Sequence, residues 1–382
     1  MLDFNQMASI QMVDLKGQYQ KIKTEIDVAI NEVLESTAFI NGPQVKSFEQ
    51  KLADFLSVAH VVTCANGTDA LQIALMALDL QPGDEVIVPA FTYVATAEVI
   101  SLLKLEPVMT DVCPDTFGIT ADLLEKVITP KTKAIVPVHL YGQCVDMENI
   151  LKVAKKHNLY VVEDTAQAIG ASYTFSNGEV KMAGTMGHIG TTSFFPSKNL
   201  GCYGDGGAMY TNDPELAKKL RMIANHGQEK KYYHKVVGCN SRLDTLQAAI
   251  LDVKLNYLKA YSEARQQVAE AYDAALQKLD WLDIPSRNEK STHVFHQYTI
   301  KLTNSEDRDL LKGFLQKRGI PSMIYYPVSL HLQEAFKTDE FGVGDFPISE
   351  DLCSRVLSLP IHTEMESKDL SFIINAIKSF KS

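Results

Sequence analysis

Between His60 and Asp164, short β-branched runs alternate with stretches of helical spacing, and that alternation confines the chain to one broad class of fold. His60-Val61-Val62-Thr63, Asp84–Pro89, Pro107–Asp111, Ala134–His139 and Tyr160–Asp164 read as strands. Residues 93–103 and 146–157 read as helices, and apolar residues at 71, 74, 75 and 78 mark another. Apolar strands separated by helices build a mostly parallel α/β sheet covered on both faces. Residues 243–277 read as a long helix or a helix pair, and Val294–Ile300 opens a smaller α+β domain. The expected division is therefore 1–255 for the N-terminal segment and large domain and 256–382 for a linking helix and the small domain. Roughly the first 15 residues are expected to pack on a neighbouring subunit or to fray.

Ligands of such sheets collect at the carboxyl ends of the strands. Tyr160-Val161-Val162-Glu163-Asp164 delivers Asp164 there, although a strand-terminal Asp also caps helices. Lys198 follows the run Thr191–Phe195 and precedes the glycine-rich stretch Gly201–Gly207. Partial desolvation in that setting lowers an amine's pKa and suits it to Schiff-base chemistry, whereas most lysines are solvated charges. Pyridoxal 5'-phosphate needs both residue types: a carboxylate to keep its ring nitrogen protonated and a lysine to carry it. Asn66-Gly67-Thr68 joins a strand to a helix, where backbone N–H groups favour an anion; an ordinary N-cap explains that segment equally well. It is neither a Walker loop nor a G-x-G-x-x-G fingerprint, so nucleoside triphosphates and NAD fit poorly.

A net charge of −10 argues against non-specific nucleic-acid binding. The six cysteines show no C-x-x-C pair or zinc spacing, so no metal is expected and a reduced cytoplasm is. No apolar run approaches the ~20 residues that span a bilayer, and Met1-Leu2-Asp3 does not read as a signal peptide.

Five blocks, in order along nearly the whole chain, carry a resemblance: Ala65–Leu71, Pro89–Thr96, Glu163–Gln167, Ser193–Lys198 and Asn240–Asp244. The chain resembles the DegT/StrS-type sugar aminotransferases, and within them enzymes that place a 3-amino group on a UDP-linked N-acetyl hexuronic acid. The resemblance implies a fold-type-I, aspartate-aminotransferase-like α/β fold with a large, mostly parallel sheet domain and a smaller α+β one. It implies pyridoxal 5'-phosphate, with pyridoxamine 5'-phosphate as its amine form, on a catalytic Lys198. Further cofactor contacts would be Gly67, Thr68, Tyr93 (stacked on the ring from a strand end), Asp164, Gln167 (on the ring oxygen) and Ser193 (on the phosphate). Asn240 would reach the phosphate of a partner subunit's cofactor, which requires a homodimer with shared sites. Tyr93 also reads as a core tyrosine and Asn240 as a loop asparagine.

For the substrate, Arg242, Tyr325 and His331 are the expected contacts, and the basic stretch Lys230, Lys231, His234 and Lys235 either meets a diphosphate or is a solvated face. The implied reaction moves an amino group from L-glutamate to a nucleotide-linked keto-sugar in cell-surface polysaccharide or O-antigen synthesis. A dTDP- or UDP-linked 3- or 4-keto-deoxyhexose is the alternative substrate. Related dehydratases place a histidine where Lys198 stands, and His188 is the nearby histidine. A non-catalytic regulatory or sensor protein of the same fold is the reading of another class.

Overall fold

The computed structural model describes residues 10–339 and 341–381. In chain order it begins with α1 (Leu15–Lys21), α2 (Lys23–Ser36), α3 (Pro43–Leu56), β1 (His60–Cys64) and α4 (Gly67–Ala77). There follow β2 (Glu85–Pro89), α5 (Ala95–Leu102), β3 (Glu106–Thr110), α6 (Ala121–Val127), β4 (Thr132–Ile135), α7 (Met147–His157) and β5 (Tyr160–Asp164). A hairpin of β6 (Ser172–Thr174) and β7 (Val180–Met182) leads to β8 (Ile189–Ser193), β9 (Gly207–Thr211) and α8 (Pro214–Ala224). A second hairpin, β10 (Gln228–Lys230) and β11 (Tyr233–His234), precedes α9 (Thr245–Leu255) and α10 (Leu258–Leu276). The small domain adds β12 (Leu282–Asp283), β13 (Tyr298–Leu302), α11 (Ser305–Gln316), α12 (Pro347–Arg355), β14 (Val356–Leu359) and α13 (Ser367–Lys378).

Seven strands form the main sheet in the order β1-β9-β8-β5-β4-β2-β3. Only β9 runs against the others, pairing antiparallel with both β1 and β8. Both faces are apolar. Val86 and Val88 pack with α4, α5 and α8, while Ile87 between them packs with α6 and α7. That period of two, buried on both sides, is why these strands read as continuous apolar runs. The expected strand 134–139 stops at Ile135; Pro137 offers no ladder donor, and Val138 keeps only an isolated parallel bridge to Asp164.

The stretch 243–277 is a helix pair, interrupted at Asn256 and Tyr257. Leu258 packs in the cluster of α3 and α9, whereas Val268, Ala269, Tyr272 and Leu276 of the same helix belong to the core of the small antiparallel sheet β12-β13-β14. Helix α10 therefore belongs to both domains. Ile10 is buried in that small-domain core, and the Ile361 N–H donates to the Met12 carbonyl. The start of the described chain thus packs on its own small domain; the rest of the expected arm, residues 1–9, lies outside the described residues.

Candidate active site

Parity on β5 decides which carboxylate goes where. Val162 packs with α4 and α5, so Asp164 two residues on faces that side; Val161 packs with α6 and α7, and Glu163 follows it. Asp164 is buried. Its Oδ2 accepts from the Thr96 hydroxyl in the first turn of α5 at 3.0 Å, and its Oδ1 accepts from the Ala166 N–H at 3.0 Å. Glu163, fully buried, accepts from the backbone N–H groups of Gly184 (2.8 Å), Met186 (2.7 Å) and Gly187, with His139 Nε2 at 2.9 Å. The two neighbours divide the work: Glu163 fixes the loop behind the sheet, and Asp164 faces the cleft.

Asp164 pairs with Thr191 on β8, so Ser193 and the turn after it lie beside the aspartate. In that turn the Lys198 N–H donates to the Phe195 carbonyl at 2.8 Å. A Cβ on Gly201 would stand 2.4 Å from the Pro196 carbonyl oxygen, so only glycine closes this loop. Burial pulls the Lys198 amine down to about 8, against the opposing pull of the Asp164 charge. Desolvation wins, which is the condition a Schiff-base lysine needs. His188, by contrast, precedes β8 at its other end, and its Nδ1 accepts from the Val161 N–H; it cannot stand in for Lys198.

The anion end is built from three strands' worth of backbone. Asn66 caps α4, its side chain accepting from the Asp69 N–H at 2.8 Å, which leaves Gly67 and Thr68 at the head of the helix. A Cβ on Gly67 would lie 2.6 Å from Ser193 Cβ, and one on Gly207 would lie 2.4 Å from the Asn66 carbonyl oxygen. Close approach of β8 and β9 thus brings the Ser193 hydroxyl against the α4 N-terminus. Gly67, Thr68 and Ser193 come together as expected.

A strap from the small domain crosses the cleft. The Ser329 hydroxyl and the Leu330 N–H both donate to the Ala90 carbonyl, at 3.1 and 2.9 Å, just past the end of β2. This holds Tyr325 and Tyr326 over the sheet. Gln167 Nε2 donates to the Tyr326 hydroxyl at 3.1 Å, and Gln167 Oε1 accepts from the Tyr141 N–H at 2.9 Å. Tyr93 is 56% exposed, with its ring 6.0 Å from that of Tyr326.

Several expectations need adjusting. Tyr93 does not sit at a strand end, since β2 stops at Pro89 and α5 starts at Ala95; its exposure also removes the core-tyrosine reading. His331 is buried, with Nδ1 at 2.9 Å from the Ser329 hydroxyl, Nε2 at 3.1 Å from Glu350 and its ring against Phe346. Both nitrogens are committed to holding the strap, so it is a positioning residue rather than a substrate contact. Asn240 is exposed and Arg242 half-buried, on either side of a buried Ser241. Ser241 donates to Asp69 at 2.6 Å and accepts from the Ala65 N–H at 3.0 Å, so this turn sits on its own chain's α4. Thr96, Tyr141, Tyr326 and Ser241 had not been singled out for the cofactor site; Thr96 and Ser241 stood inside the blocks that carried the resemblance.

A buried aspartate and an amine lowered to about 8 beside a serine-lined helix N-terminus are the donor set pyridoxal phosphate requires. The model of the DegT/DnrJ/EryC1/StrS aminotransferase family matches residues 20–378. The chain belongs to that family. It is 46% identical over 374 residues to a pleiotropic regulatory protein of Geobacillus stearothermophilus, covering 97% of this chain and 98% of the relative. It is 44% identical over 368 residues to the UDP-2-acetamido-2-deoxy-3-oxo-D-glucuronate aminotransferase of Pseudomonas aeruginosa, covering 96% and 99%. Among solved structures, S. venezuelae DesV in complex with a ketimine intermediate superposes with a TM-score of 0.94 at 38% identity, over 98% of this chain and 100% of that one. The family's aspartate-aminotransferase-like fold and its cofactor, pyridoxal 5'-phosphate, are those of this chain. The regulatory reading is not favoured, because Lys198, Asp164 and the α4 cradle are all in place. No helix among the described residues is long and apolar enough to cross a membrane, and no His, Cys, Asp or Glu cluster there could hold a metal.

Proposed function

We propose that this aminotransferase moves the amino group of L-glutamate to the 3-keto position of a UDP-linked N-acetyl hexuronic acid. The observation that carries the reading is Lys198, lowered to about 8 at the end of β8, beside Asp164 at the end of β5. Bound pyridoxal phosphate supplies an electron sink for removing a proton from the amino donor. Asp164, oriented by Thr96, holds the proton on the ring nitrogen. Gly67, Thr68 and Ser193 hold the phosphate. Lys198 would hold the cofactor, and its amine, neutral above about 8, would serve as the general base at the amino donor's carbon. Tyr93 and Tyr326 cover the cleft.

The choice of sugar follows the Pseudomonas relative, which matches this chain end to end. A nucleotide diphosphate needs cations, and an acidic chain offers them on the exposed hairpin of β10 and β11, with Lys230, Lys231, Lys235 and His234. Tyr232 and Val237 on that projection are 79% and 87% exposed, a surface suited to a second copy of the chain. The enzyme is read as a cytoplasmic homodimer in which Asn240 and Arg242 serve the partner's site, working in cell-surface polysaccharide synthesis. The test is a coupled assay with L-glutamate across UDP- and dTDP-linked 3-keto and 4-keto sugars. Preferred turnover of a dTDP-linked deoxyhexose would replace this substrate with the alternative one.

A further inference from the structure

Between the N-terminal segment and the small domain lies a groove of about 600 Å³, with Met12, Ile320 and Pro321 among its apolar residues and Ser197, Gln297 and Tyr325 among its polar ones. Among the described residues, no carboxylate, lysine or arginine lines it. Ser197 immediately precedes Lys198, and Tyr325 precedes the Tyr326 that bonds Gln167. Asn199 Nδ2 donates to the Val294 carbonyl at 2.8 Å, tying the segment before Gln297 to the lysine loop. The groove therefore adjoins the reacting centre.

Gln297 is its odd member. It is only 8% exposed, and its backbone N–H reaches the Tyr141 carbonyl at 3.3 Å, yet its side-chain amide has no hydrogen-bond partner among the described residues. Its amide atoms are not among the enclosed polar atoms without a partner, so the amide opens onto the groove, where a ligand can take the place of water. An uncharged partner suits the described lining, none of which is ionised. It must also offer both a donor and an acceptor and carry an apolar end for Met12, Ile320 and Pro321. An acetamido group meets all three conditions.

We infer that Gln297 recognises the 2-acetamido group of the sugar whose adjacent 3-keto carbon reacts at Lys198. Gln297 Nε2 donates to the acetamido carbonyl, Gln297 Oε1 accepts from its N–H, and the methyl group packs on the apolar wall. The inference rests on the nucleotide-sugar reading above, and it names the residue that separates 2-acetamido from 2-hydroxy substrates.

The experiment compares kcat/KM of the holoenzyme for matched UDP-linked 3-keto hexuronates bearing 2-acetamido or 2-hydroxy, in wild type and Gln297→Leu. The acetamido-to-hydroxy ratio should fall roughly tenfold or more in the variant, the size expected for a lost amide pair. Met12→Trp, which narrows the apolar side without touching the amide, should lower the same ratio and serves if Gln297→Leu does not fold. A ratio equal in wild type and variants overturns the inference while leaving the reaction intact. Absence of wild-type turnover on every nucleotide-linked keto-sugar overturns the reaction and this inference with it.

Discussion

The Asp164 carboxylate accepts a hydrogen bond from the Thr96 hydroxyl at 3.0 Å across 68 positions of sequence. Thr96 is itself buried, so water does not compete for that bond. Thr96→Val keeps the shape and removes the bond. The loss of ~1–2 kcal/mol should lower kcat about 5- to 30-fold with cofactor binding little changed. Asp164→Asn should cost roughly 100-fold or more, since the ring nitrogen loses its ionic partner. Wild-type turnover in Thr96→Val would mean the aspartate needs no orienting.

Covalent capture of the cofactor requires the neutral Lys198 amine. Burial lowers that amine to about 8, so the reactive form predominates above this pH and is lost as the pH falls through it. Stopped-flow absorbance after mixing apoprotein with pyridoxal phosphate should give a rate that rises with pH around a midpoint near about 8. The Asp164 charge pulls the amine upward, so Asp164→Asn should move the midpoint lower still. A midpoint at the ordinary lysine value of 10.5 would contradict the desolvated site.

Glu163 is a structural carboxylate. Glu163→Leu would strand the N–H groups of Gly184, Met186 and Gly187 and the His139 ring in the interior. The expected cost is ~3–5 kcal/mol, read by denaturant titration of the apoprotein. Glu163→Gln retains an acceptor and should lose about half as much or less. Equal stability of Glu163→Leu and wild type would refute the assignment.

Gly207→Ala tests the anion cradle from behind. Its Cβ would meet the Asn66 carbonyl at 2.4 Å and the Gly67 nitrogen at 2.9 Å, pushing the head of α4 away from Ser193. The dissociation constant for pyridoxal phosphate should rise about tenfold or more, by fluorescence titration. Unchanged affinity would place the phosphate elsewhere.

Shared sites can be tested by subunit exchange between inactive Lys198→Ala and inactive Asn240→Ala/Arg242→Ala. In a shared arrangement a mixed dimer has one doubly damaged site and one intact site, because a two-fold interface makes the donation reciprocal. Activity should therefore return. Proven exchange without recovery would confine each site to one chain, the side on which the Ser241–Asp69 bond of 2.6 Å already lies.

Local patterns carried Asp164, Lys198 and the α4 cradle, because each depends on a strand, a turn and a helix start within a few residues. The same logic recovered the alternating large domain. What stayed hidden depends on contacts that periodicity cannot encode. Thr96 meets Asp164 through the stacking of α5 on the sheet, and Tyr326 meets Gln167 across 159 positions. His331 looked like a ligand because its segment does line the cleft; only the positions of Ser329 and Glu350 show its nitrogens already occupied. Tyr93 lies four residues past the end of β2 at Pro89, so it is the loop before α5, not a strand end, that carries it.

Helix α10 has mechanical consequences. Its 19 residues make a rod ~28 Å long, anchored by Leu258 in one core and by Tyr272 and Leu276 in the other. Midway, the buried Arg265 grips the carbonyls of Phe295, His296 and Ile361 at 3.1, 3.4 and 3.0 Å. Arg265 thereby ties α10 to the segment before β13 and to the one after β14. Tilting the small domain would lift Ser329 from Ala90 and Tyr326 from Gln167, and would also draw Leu330 out of the large-domain core. The cleft is thus shut by apolar packing as much as by polar contacts, and the arginine that braces the shared helix also fixes the segment leading to Gln297.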